Sequence, residues 1–247
     1  MSRAVIVTRR KKEGVKDNLV QAIEQVGIAA CHFPLVELQR LHTEQHLPNP
    51  TEIDRIIFTS ANAVSFFLQQ VELDYTTVKV AAVGKKTSRA AEQAGFTVDV
   101  VPSAGKENAE GLLEVLRKKL LPGERILFPK SKQARLVLEQ ELQRFAVHVH
   151  AVSVYETVAT HADIDVWRQH VHHPVVFTSP SAVSAYEQVM SHLQIIPAKT
   201  IAFVIGPVTE QRALRTGFSQ VIAAPQATFE SLATTICTYL NRGIHSE

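Results

Sequence analysis

Long hydrophobic runs are absent from this 247-residue sequence, and no window approaches the roughly 20 apolar residues of a membrane-spanning helix. The apolar run near the N-terminus is too short for a secretory signal peptide, and its basic residues follow it rather than precede it. Only two cysteines are present, Cys31 and Cys237, far apart in apolar segments, which is typical of reduced thiols. These absences predict a soluble cytoplasmic protein without a membrane partner.

Sequence signatures of cofactor and metal sites are missing as well. No strand pattern is followed by G-x-G-x-x-G, and no G-x-x-x-x-G-K-[ST] occurs, which argues against a nucleotide cofactor. There is no C-x-x-C, no H-E-x-x-H and no G-x-S-x-G, and the "HVHH" segment at 170–173 lacks accompanying cysteine or carboxylate ligands. We therefore expect no cofactor, no metal and, if the protein is an enzyme, catalysis by positioning and electrostatics.

The charge balance is nearly neutral. The formal net charge is +2 and the pI is near 8.5. No bulk positive field is present to attract nucleic acid, so we expect no nucleic-acid partner, and any site for an anion has to be local.

Short β-branched runs alternate with amphipathic segments along the whole chain. Apolar residues recur at helical spacing in 108–120 and again in 134–145. Nearly continuous apolar strands that alternate with such helices indicate α/β parallel sheets covered on both faces. The predicted strands are 4–8, 55–59, 79–83, 97–101, 125–129, 147–154, 174–178, 201–205 and 220–223.

The sequence contains an internal repeat. Residues 58–67 and 177–186 are identical at six of ten positions, and both begin with Phe-Thr-Ser. The segments "AVGKKT" and "NAEGL" return as "VIGPVT" and "TFESL" in the same order. The chain is therefore built from two copies of a unit of about 120 residues. Two tandem domains, or two domains that exchange their first βαβ piece, are both compatible with the repeat.

The repeated corners are predicted to be strand ends that continue directly into helix N-termini. Proline is favoured at the first helical position, and it follows two of the strand patterns, at 180 and 207. Unpaired backbone N–H groups at such corners favour anions, including carboxylates. The residues before the prolines and their repeat counterparts are the predicted N-caps: Ser179, Gly206, Ser60 and Gly84.

Basic residues follow the same strand ends, and two interpretations stay open for them. They either form a polyanion site or are ordinary solvated surface charges. These residues are Arg9, Arg10, Lys11, Lys12, Lys85, Lys86, Lys130 and Lys132.

These motifs resemble those of the uroporphyrinogen-III synthase family. The resemblance runs in order along nearly the whole chain and is carried by "VTRR" (7–10), "FTS" (58–60), "VGKKT" (83–87), "VSVYET" (152–157), "FTSP" (177–180) and "IGPVT" (205–209). It implies two flavodoxin-like α/β domains with parallel sheets, interleaved in sequence and joined by a two-stranded connection. One domain is then 1–36 plus 157–247, and the other is 38–154.

The reaction that the resemblance implies is the cyclisation of hydroxymethylbilane. This substrate is a linear tetrapyrrole that carries acetate and propionate groups on every ring. Ring closure inverts the last pyrrole and releases water, so the enzyme is a cyclising hydro-lyase of tetrapyrrole and heme biosynthesis. The family implies no cofactor and a cleft between the domains. We expect a monomer, and the upstream bilane-forming enzyme is a candidate partner.

The resemblance also implies the site residues. Tyr155, beside the interdomain connection, is the candidate catalytic residue, as a phenol that hydrogen-bonds the departing hydroxyl group or stabilises the cationic intermediate. Two positions depart from the family pattern: Lys130-Ser131 replaces an arginine-glycine-like turn, and Arg10 replaces a frequent proline. The candidate substrate-binding residues are Arg9, Thr59, Ser60, Thr87, Lys130, Thr178, Ser179 and Thr209.

Two other functions share this architecture. A two-domain binding protein for an anionic metabolite would need no catalytic group at all. A nucleotide-sugar or phosphate-transferring enzyme on paired Rossmann-like domains would need phosphate-cradling loops, which this sequence lacks.

Overall fold

The computed structural model describes residues 4–10, 14–41, 47–134, 137–160 and 163–242. The strands in these ranges are β1 Ala4–Val7, β2 Ala29–His32, β3 Val36–Arg40, β4 Arg55–Phe58, β5 Lys79–Ala82, β6 Val98–Val100, β7 Arg125–Ser131, β8 His148–Ala159, β9 Val175–Phe177, β10 Ile201–Val204 and β11 Gln220–Ala223. The helices are α1 Asn18–Gln25, α2 Ala61–Leu68, α3 Lys85–Gln93, α4 Ala109–Leu116, α5 Val137–Gln143, α6 Ile164–His170, α7 Pro180–His192, α8 Pro207–Thr216 and α9 Phe229–Arg242.

The chain divides into two compact units. The first unit comprises Met1–Leu38 and Val158–Glu247, and the second unit comprises Gln39–Thr157. The chain passes from one unit to the other within β3 and returns within β8, and these strands are neighbours in one sheet. Leu41 N donates to Val154 O, while Thr160 N donates to Leu35 O, so the two strands run antiparallel.

Each unit contains one parallel sheet with the same strand order. The first sheet has the order β11-β10-β9-β1-β2, and the second has the order β3-β8-β7-β4-β5-β6. When β3 is set aside, both sheets have the 2-1-3-4-5 strand order of flavodoxin-like folds. In the second sheet this numbering counts β7 as strand 1 and β8 as strand 2, followed by β4, β5 and β6. The predicted α/β class, with two flavodoxin-like parallel sheets and a two-stranded connection, is confirmed.

Continuous apolar strands place the core on both faces of each sheet. In β1, Val5 and Val7 pack with α1 and α9, whereas Ile6 packs on the other face beside Tyr186 of α7. Alternate side chains of a strand point to opposite faces, which is why a fully apolar strand needs helices on both sides.

All nine predicted strands occur, but two further strands, β2 and β3, were not predicted from the sequence. Across the described residues, no helix is long and apolar enough to cross a membrane. The repeat is also visible in the hydrogen bonds: Val83 N donates to Phe58 O at 3.0 Å, and Ile205 N donates to Phe177 O at 3.1 Å.

Candidate functional site

The four predicted N-caps all lie where strands end and helices begin. The Ser60 Oγ accepts a hydrogen bond from Ala63 N at 3.0 Å, and the Ser179 Oγ accepts one from Ala182 N at 3.3 Å. Gly84 and Gly206 cap α3 and α8 without a side-chain hydrogen bond. Each unit therefore presents two helix N-termini at the carboxyl edge of its sheet, which is the edge where α/β proteins bind ligands.

Tyr155 lies in β8 and is held at this edge of the second unit. Its phenol oxygen is 3.2 Å from the Ser60 Oγ, and its ring stacks on Phe66 with centroids 5.0 Å apart and planes inclined by 17°. The Gln70 side chain donates to the carbonyl oxygen of Val154 at 2.8 Å, which fixes the strand next to the tyrosine. Tyr155 is 7% exposed, so its ring is immobilised while its hydroxyl faces Ser60.

A cavity of about 450 Å³ opens beside this pair, within the second unit. Within the described ranges, no lysine, arginine or histidine lines the cavity. It combines hydroxyl groups, two carboxylates and an apolar wall, which suits a partly aromatic ligand better than a bare anion. Its polar lining includes Thr59, Ser60, Ser131, Tyr155, Glu107 and Glu110, and its apolar lining includes Val83, Phe128, Val137 and Leu138.

The remaining predicted residues of the second unit do not line this cavity. Thr87 is 4% exposed and lies inside the first turn of α3. The Lys130 ammonium group forms an ion pair with Glu139, and both side chains are mostly buried. The Lys132 ammonium group pairs with the Glu156 carboxylate at 2.9 Å. Two of the predicted basic residues, Lys130 and Lys132, therefore have carboxylate partners within the second unit.

Four predicted residues lie at the carboxyl edge of the first unit's sheet. Thr178 and Ser179 follow β9, and Arg9 follows the neighbouring strand β1. Thr209 is 3% exposed in the first turn of α8. The hydrogen bond from Thr8 N to Val176 O joins the two strand ends, so Arg9 and Thr178 follow adjacent strands.

Arg9 is already engaged inside the first unit. Its Nη1 is 2.7 Å from Oδ2 of Asp17, and its guanidinium lies over the ring of Phe229 at 4.5 Å from the centroid. The Asp17 side chain also caps α1 through its other oxygen. Binding of a substrate carboxylate to Arg9 would therefore compete with an existing ion pair. Lys11 and Lys12, which follow it in sequence, lie outside the described residues.

The sequence patterns missed three residues: Glu107, which lines the cavity, and Phe66 and Gln70, which hold Tyr155 and its strand in place. Phe66 lies inside the repeated segment 58–67, yet its partner Tyr155 is distant in sequence. Glu107 lies one residue before the repeated motif "NAEGL", where the other copy has Ala227. This difference between otherwise matching copies is the signal that could have identified it.

Other cavities also occur among the described residues, and one of about 240 Å³ lies in the first unit beside α6 and α7. A cavity of about 590 Å³ lies at the amino ends of β4, β5 and β7, the edge away from the helix N-termini. Among the described residues, no group of three or more histidine, cysteine or acidic side chains could hold a metal ion. His170 ends α6, and partial burial together with His173 lowers the pKa of its imidazole.

Sequence comparison connects the chain to proteins of known type. The sequence model of a protein family described as uroporphyrinogen-III synthase HemD matches residues 17–234. A Methanothermobacter thermautotrophicus protein, provisionally named uroporphyrinogen-III synthase, is 28% identical over 220 residues, 82% of this chain and 86% of that protein. The uroporphyrinogen-III synthase of Chlorobaculum parvum is 25% identical over 219 residues, 84% of this chain and 87% of that protein.

Solved structures show the same fold. The structure of uroporphyrinogen-III synthetase from Helicobacter pylori has a TM-score of 0.67 at 18% identity and covers 99% of this chain and 100% of its own. A mutant uroporphyrinogen-III synthase from Thermus thermophilus has a TM-score of 0.57 at 16% identity and covers 99% of each chain. At such identities, these two likenesses support the fold alone.

Proposed function

This chain belongs to the uroporphyrinogen-III synthase family, and from that premise we propose that it cyclises hydroxymethylbilane to uroporphyrinogen III. The observation that carries the proposal is the cavity in the second unit in which Tyr155 and Ser60 form a hydrogen bond. A buried, oriented phenol next to a helix N-terminus can stabilise a departing hydroxyl group without a metal or a covalent intermediate.

The reaction needs a proton donor near the leaving oxygen. The C–O bond of the hydroxymethyl group breaks, its electron pair leaves with the oxygen, and one added proton completes the water molecule. Because the last pyrrole is inverted, the new C–C bond forms at its substituted α-carbon, and the bond from that carbon to the bridging methylene group breaks. The methylene carbon then bonds to the other α-carbon of the same ring, which loses one proton, so the overall change is loss of water. The Ser60 Oγ accepts from Ala63 N, and its own proton can be donated to the phenol oxygen, although either oxygen of the pair can be the donor. The Tyr155 proton is then available to the leaving group.

Substrate carboxylates have several donors to meet. In the second unit, Thr59 and Ser60 line the cavity itself, whereas Thr87 lies in the first turn of α3 and Lys130 lies near the end of β7. In the first unit we assign this role to Arg9, Thr178, Ser179 and Thr209. We further assign the two units to the interleaved domains 1–36 plus 157–247 and 38–154, and expect a cytoplasmic, monomeric lyase that receives its substrate from the bilane-forming enzyme.

Isomer analysis tests the function directly. Freshly prepared hydroxymethylbilane is mixed with the protein and quenched at short times, and the products are oxidised and separated as type I and type III uroporphyrin. Dominant type III product, formed faster than in a protein-free control, is the expected result. Type I product alone, at the rate of the control, would refute the proposed function and favour a binding protein for an anionic metabolite.

A further inference from the structure

The two units contain the same tight turn before a helix. In the second unit, Asn108 N donates to Lys106 O at 2.8 Å, directly before α4. In the first unit, Thr228 N donates to Gln226 O at 2.8 Å, directly before α9. The side chains of Asn108 and Thr228 then each cap the first turn of the helix that follows. The same turn therefore occurs in both units. Its backbone geometry does not depend on the residue at its apex, which is the middle residue of the three.

The apex residues of the two turns differ in chemistry. The apex is Glu107 in the second unit and Ala227 in the first. Because alanine forms the same turn, the fold does not demand a carboxylate at this position. The Glu107 side chain is solvent-exposed and, among the described residues, has no ion-pair or hydrogen-bond partner, whereas the adjacent Lys106 pairs with Glu114 at 2.8 Å.

Gly84 makes room for the Glu107 side chain. A Cβ atom at Gly84 would lie 2.9 Å from both the Cβ and the Oε2 of Glu107, closer than real Cβ contacts. The backbone of Gly84 is extended, with φ 179°, so its conformation alone does not require glycine. At the equivalent Gly206, a Cβ atom would meet Ala227 at an ordinary 3.8 Å. Glycine at 84 thus leaves room for residue 107, both for its Cβ atom and for the carboxylate beyond it.

The Glu107 side chain lines the same cavity as Tyr155 and Ser60. A carboxylate there repels the acetate and propionate groups of the proposed substrate, which weakens binding. Such a group contributes to catalysis only if it faces positive charge that develops during the reaction. Loss of the hydroxyl group creates such a charge, because the ring nitrogen of the pyrrole delocalises the cation left on the methylene carbon.

We propose that Glu107 is a catalytic carboxylate that stabilises the pyrrole cation formed when the hydroxyl group leaves. This inference rests on the proposed function. The carboxylate faces the cation or its N–H group while Tyr155 donates to the departing oxygen. Formation of the new C–C bond and loss of the ring-carbon proton then remove the positive charge, so Glu107 itself ends the cycle unchanged.

The substitution Glu107→Gln tests the role, since it removes the charge and keeps the shape. We expect the single-turnover rate to fall about 10- to 100-fold, as when one electrostatic group is removed from an active site. Affinity for the product uroporphyrinogen III, measured anaerobically by fluorescence titration, is expected to rise because a repulsive charge is gone. Gly84→Ala, which displaces the carboxylate, is expected to lower the rate in the same way while circular dichroism shows an intact fold.

Glu114→Gln is the matched control, since Glu114 belongs to α4 and pairs with Lys106 on the surface. It should change neither the rate nor the product affinity. An unchanged rate in Glu107→Gln, with type III product from the wild type, would overturn the role of Glu107 and leave the function standing. A rate loss accompanied by weaker product binding would also overturn it, because that pattern indicates a structural residue. A wild type that makes only type I product would overturn the function and this inference together.

Discussion

The phenol oxygen of Tyr155 lies 3.2 Å from the Oγ of Ser60, the residue that caps α2. Ser60 thus makes two hydrogen bonds: its Oγ accepts from Ala63 N, and the same hydroxyl group bonds to the phenol oxygen of Tyr155. Tyr155 of β8 also stacks on Phe66 of α2, so strand and helix are in contact beside the Ser60 cap. The phenol of Tyr155, the proposed catalytic group, is therefore oriented by the same residue that begins the helix.

Tyr155→Phe should slow turnover while leaving the site intact. The ring keeps its stack on Phe66, but the proton for the leaving hydroxyl group is lost. We expect kcat to fall about 10- to 100-fold and product affinity to change less than about two-fold. Stopped-time isomer assays give kcat, and anaerobic fluorescence titration gives the affinity.

Two controls bracket this result. Tyr239→Phe removes a phenol from α9 and should leave kcat unchanged. Ser60→Ala should lower the free energy of unfolding by about 1 kcal/mol through loss of the helix cap, and should slow turnover through the misplaced phenol. Wild-type kcat in Tyr155→Phe would remove the phenol from the mechanism.

Asp17→Asn should release Arg9 for the substrate. In the wild type, Oδ1 of Asp17 caps α1 and Oδ2 accepts from Arg9 at 2.7 Å. Asparagine retains the capping oxygen but replaces the second one with an amide NH₂ group, which cannot accept from a guanidinium. We expect KM to fall about two- to five-fold, on the scale of a partly exposed ion pair, with kcat unchanged.

The control for this variant is Asp163→Asn. Asp163 caps α6 in the same way, through hydrogen bonds from Asp165 N and Val166 N. Because asparagine also caps helices, Asp163→Asn should change the free energy of unfolding only slightly, and it should leave KM unchanged. If KM for Asp17→Asn stays at or above the wild-type value, the Arg9–Asp17 pair is structural and Arg9 does not bind the substrate.

The corners of this fold are predictable because their signals are local. A proline at the first helical position and a serine or glycine before it specify the strand-to-helix junction within a few residues. Ser60 and Ser179 cap their helices as their sequence context predicts. The internal repeat extends this prediction to Ser60 and Gly84, which have no proline after them.

The charge partners of the site are not predictable in the same way. Arg9 follows β1 and Lys130 lies near the end of β7, and their partners Asp17 and Glu139 come eight and nine residues later in the sequence. No periodicity links a cation to a carboxylate across a turn, so the sequence alone suggests free charges where the structure contains ion pairs. Whether these pairs open for the substrate is a question for the KM measurements above.

The two unpredicted strands lack strand-forming residues. The sequence of β2 is Ala-Ala-Cys-His, with no β-branched side chain, and β3 is Val-Glu-Leu-Gln-Arg, with a single β-branched residue. Their hydrogen bonds to β1 and β8 stabilise them, which is a tertiary effect. The first of them completes the sheet of the first unit, and the second carries the chain between the units.

Tyr186→Phe should stabilise the first unit. Tyr186 is fully buried, and its phenol oxygen has no hydrogen-bond partner among the described residues, although Thr200 lies close enough to affect its ionisation. The equivalent residue in the second unit is Phe67, so the position tolerates a ring without a hydroxyl group. We expect the free energy of unfolding to rise by about 1 kcal/mol in urea titrations at pH 8.

The same variant should reduce the loss of stability at alkaline pH. Burial raises the pKa of the Tyr186 phenol from 10.0 to about 12. Between these values the unfolded chain releases the proton and the folded chain keeps it, so stability is complete below pH 10 and falls as the pH rises towards 12. At pH 11 the wild type should lose about 1 kcal/mol more than Tyr186→Phe.

Tyr75→Phe provides the contrast. Tyr75 is also buried, but its phenol donates to the carbonyl oxygen of Pro48, so its removal should lower the free energy of unfolding by about 1 kcal/mol. Equal losses in the two variants at pH 8 would show that the Tyr186 phenol has a partner in solution.

Arg55→Ala should be the most destabilising change among those considered. Arg55 is 4% exposed and lies between Asp99 and Glu124, with its Nε 2.8 Å from the Glu124 carboxylate. Burial tends to lower the pKa of the guanidinium, but hydrogen bonds to both carboxylates outweigh burial and raise it. Removing the cation leaves two carboxylates facing each other, one of them largely buried, and should cost about 3–5 kcal/mol in urea denaturation.

The neighbouring pair of Arg125 and Asp54 is the matched control, because both of its side chains are more than 40% exposed. Arg125→Ala should therefore lower the free energy of unfolding by no more than about 1 kcal/mol, as is usual for surface pairs. If the two variants lose equal stability, the Arg55 network is solvated in solution, and the amino-end cavity that it lines is wider than the structure indicates. If only Arg55→Ala is severely destabilised, the buried ion pairs of Arg55 hold the amino edge of the second sheet together.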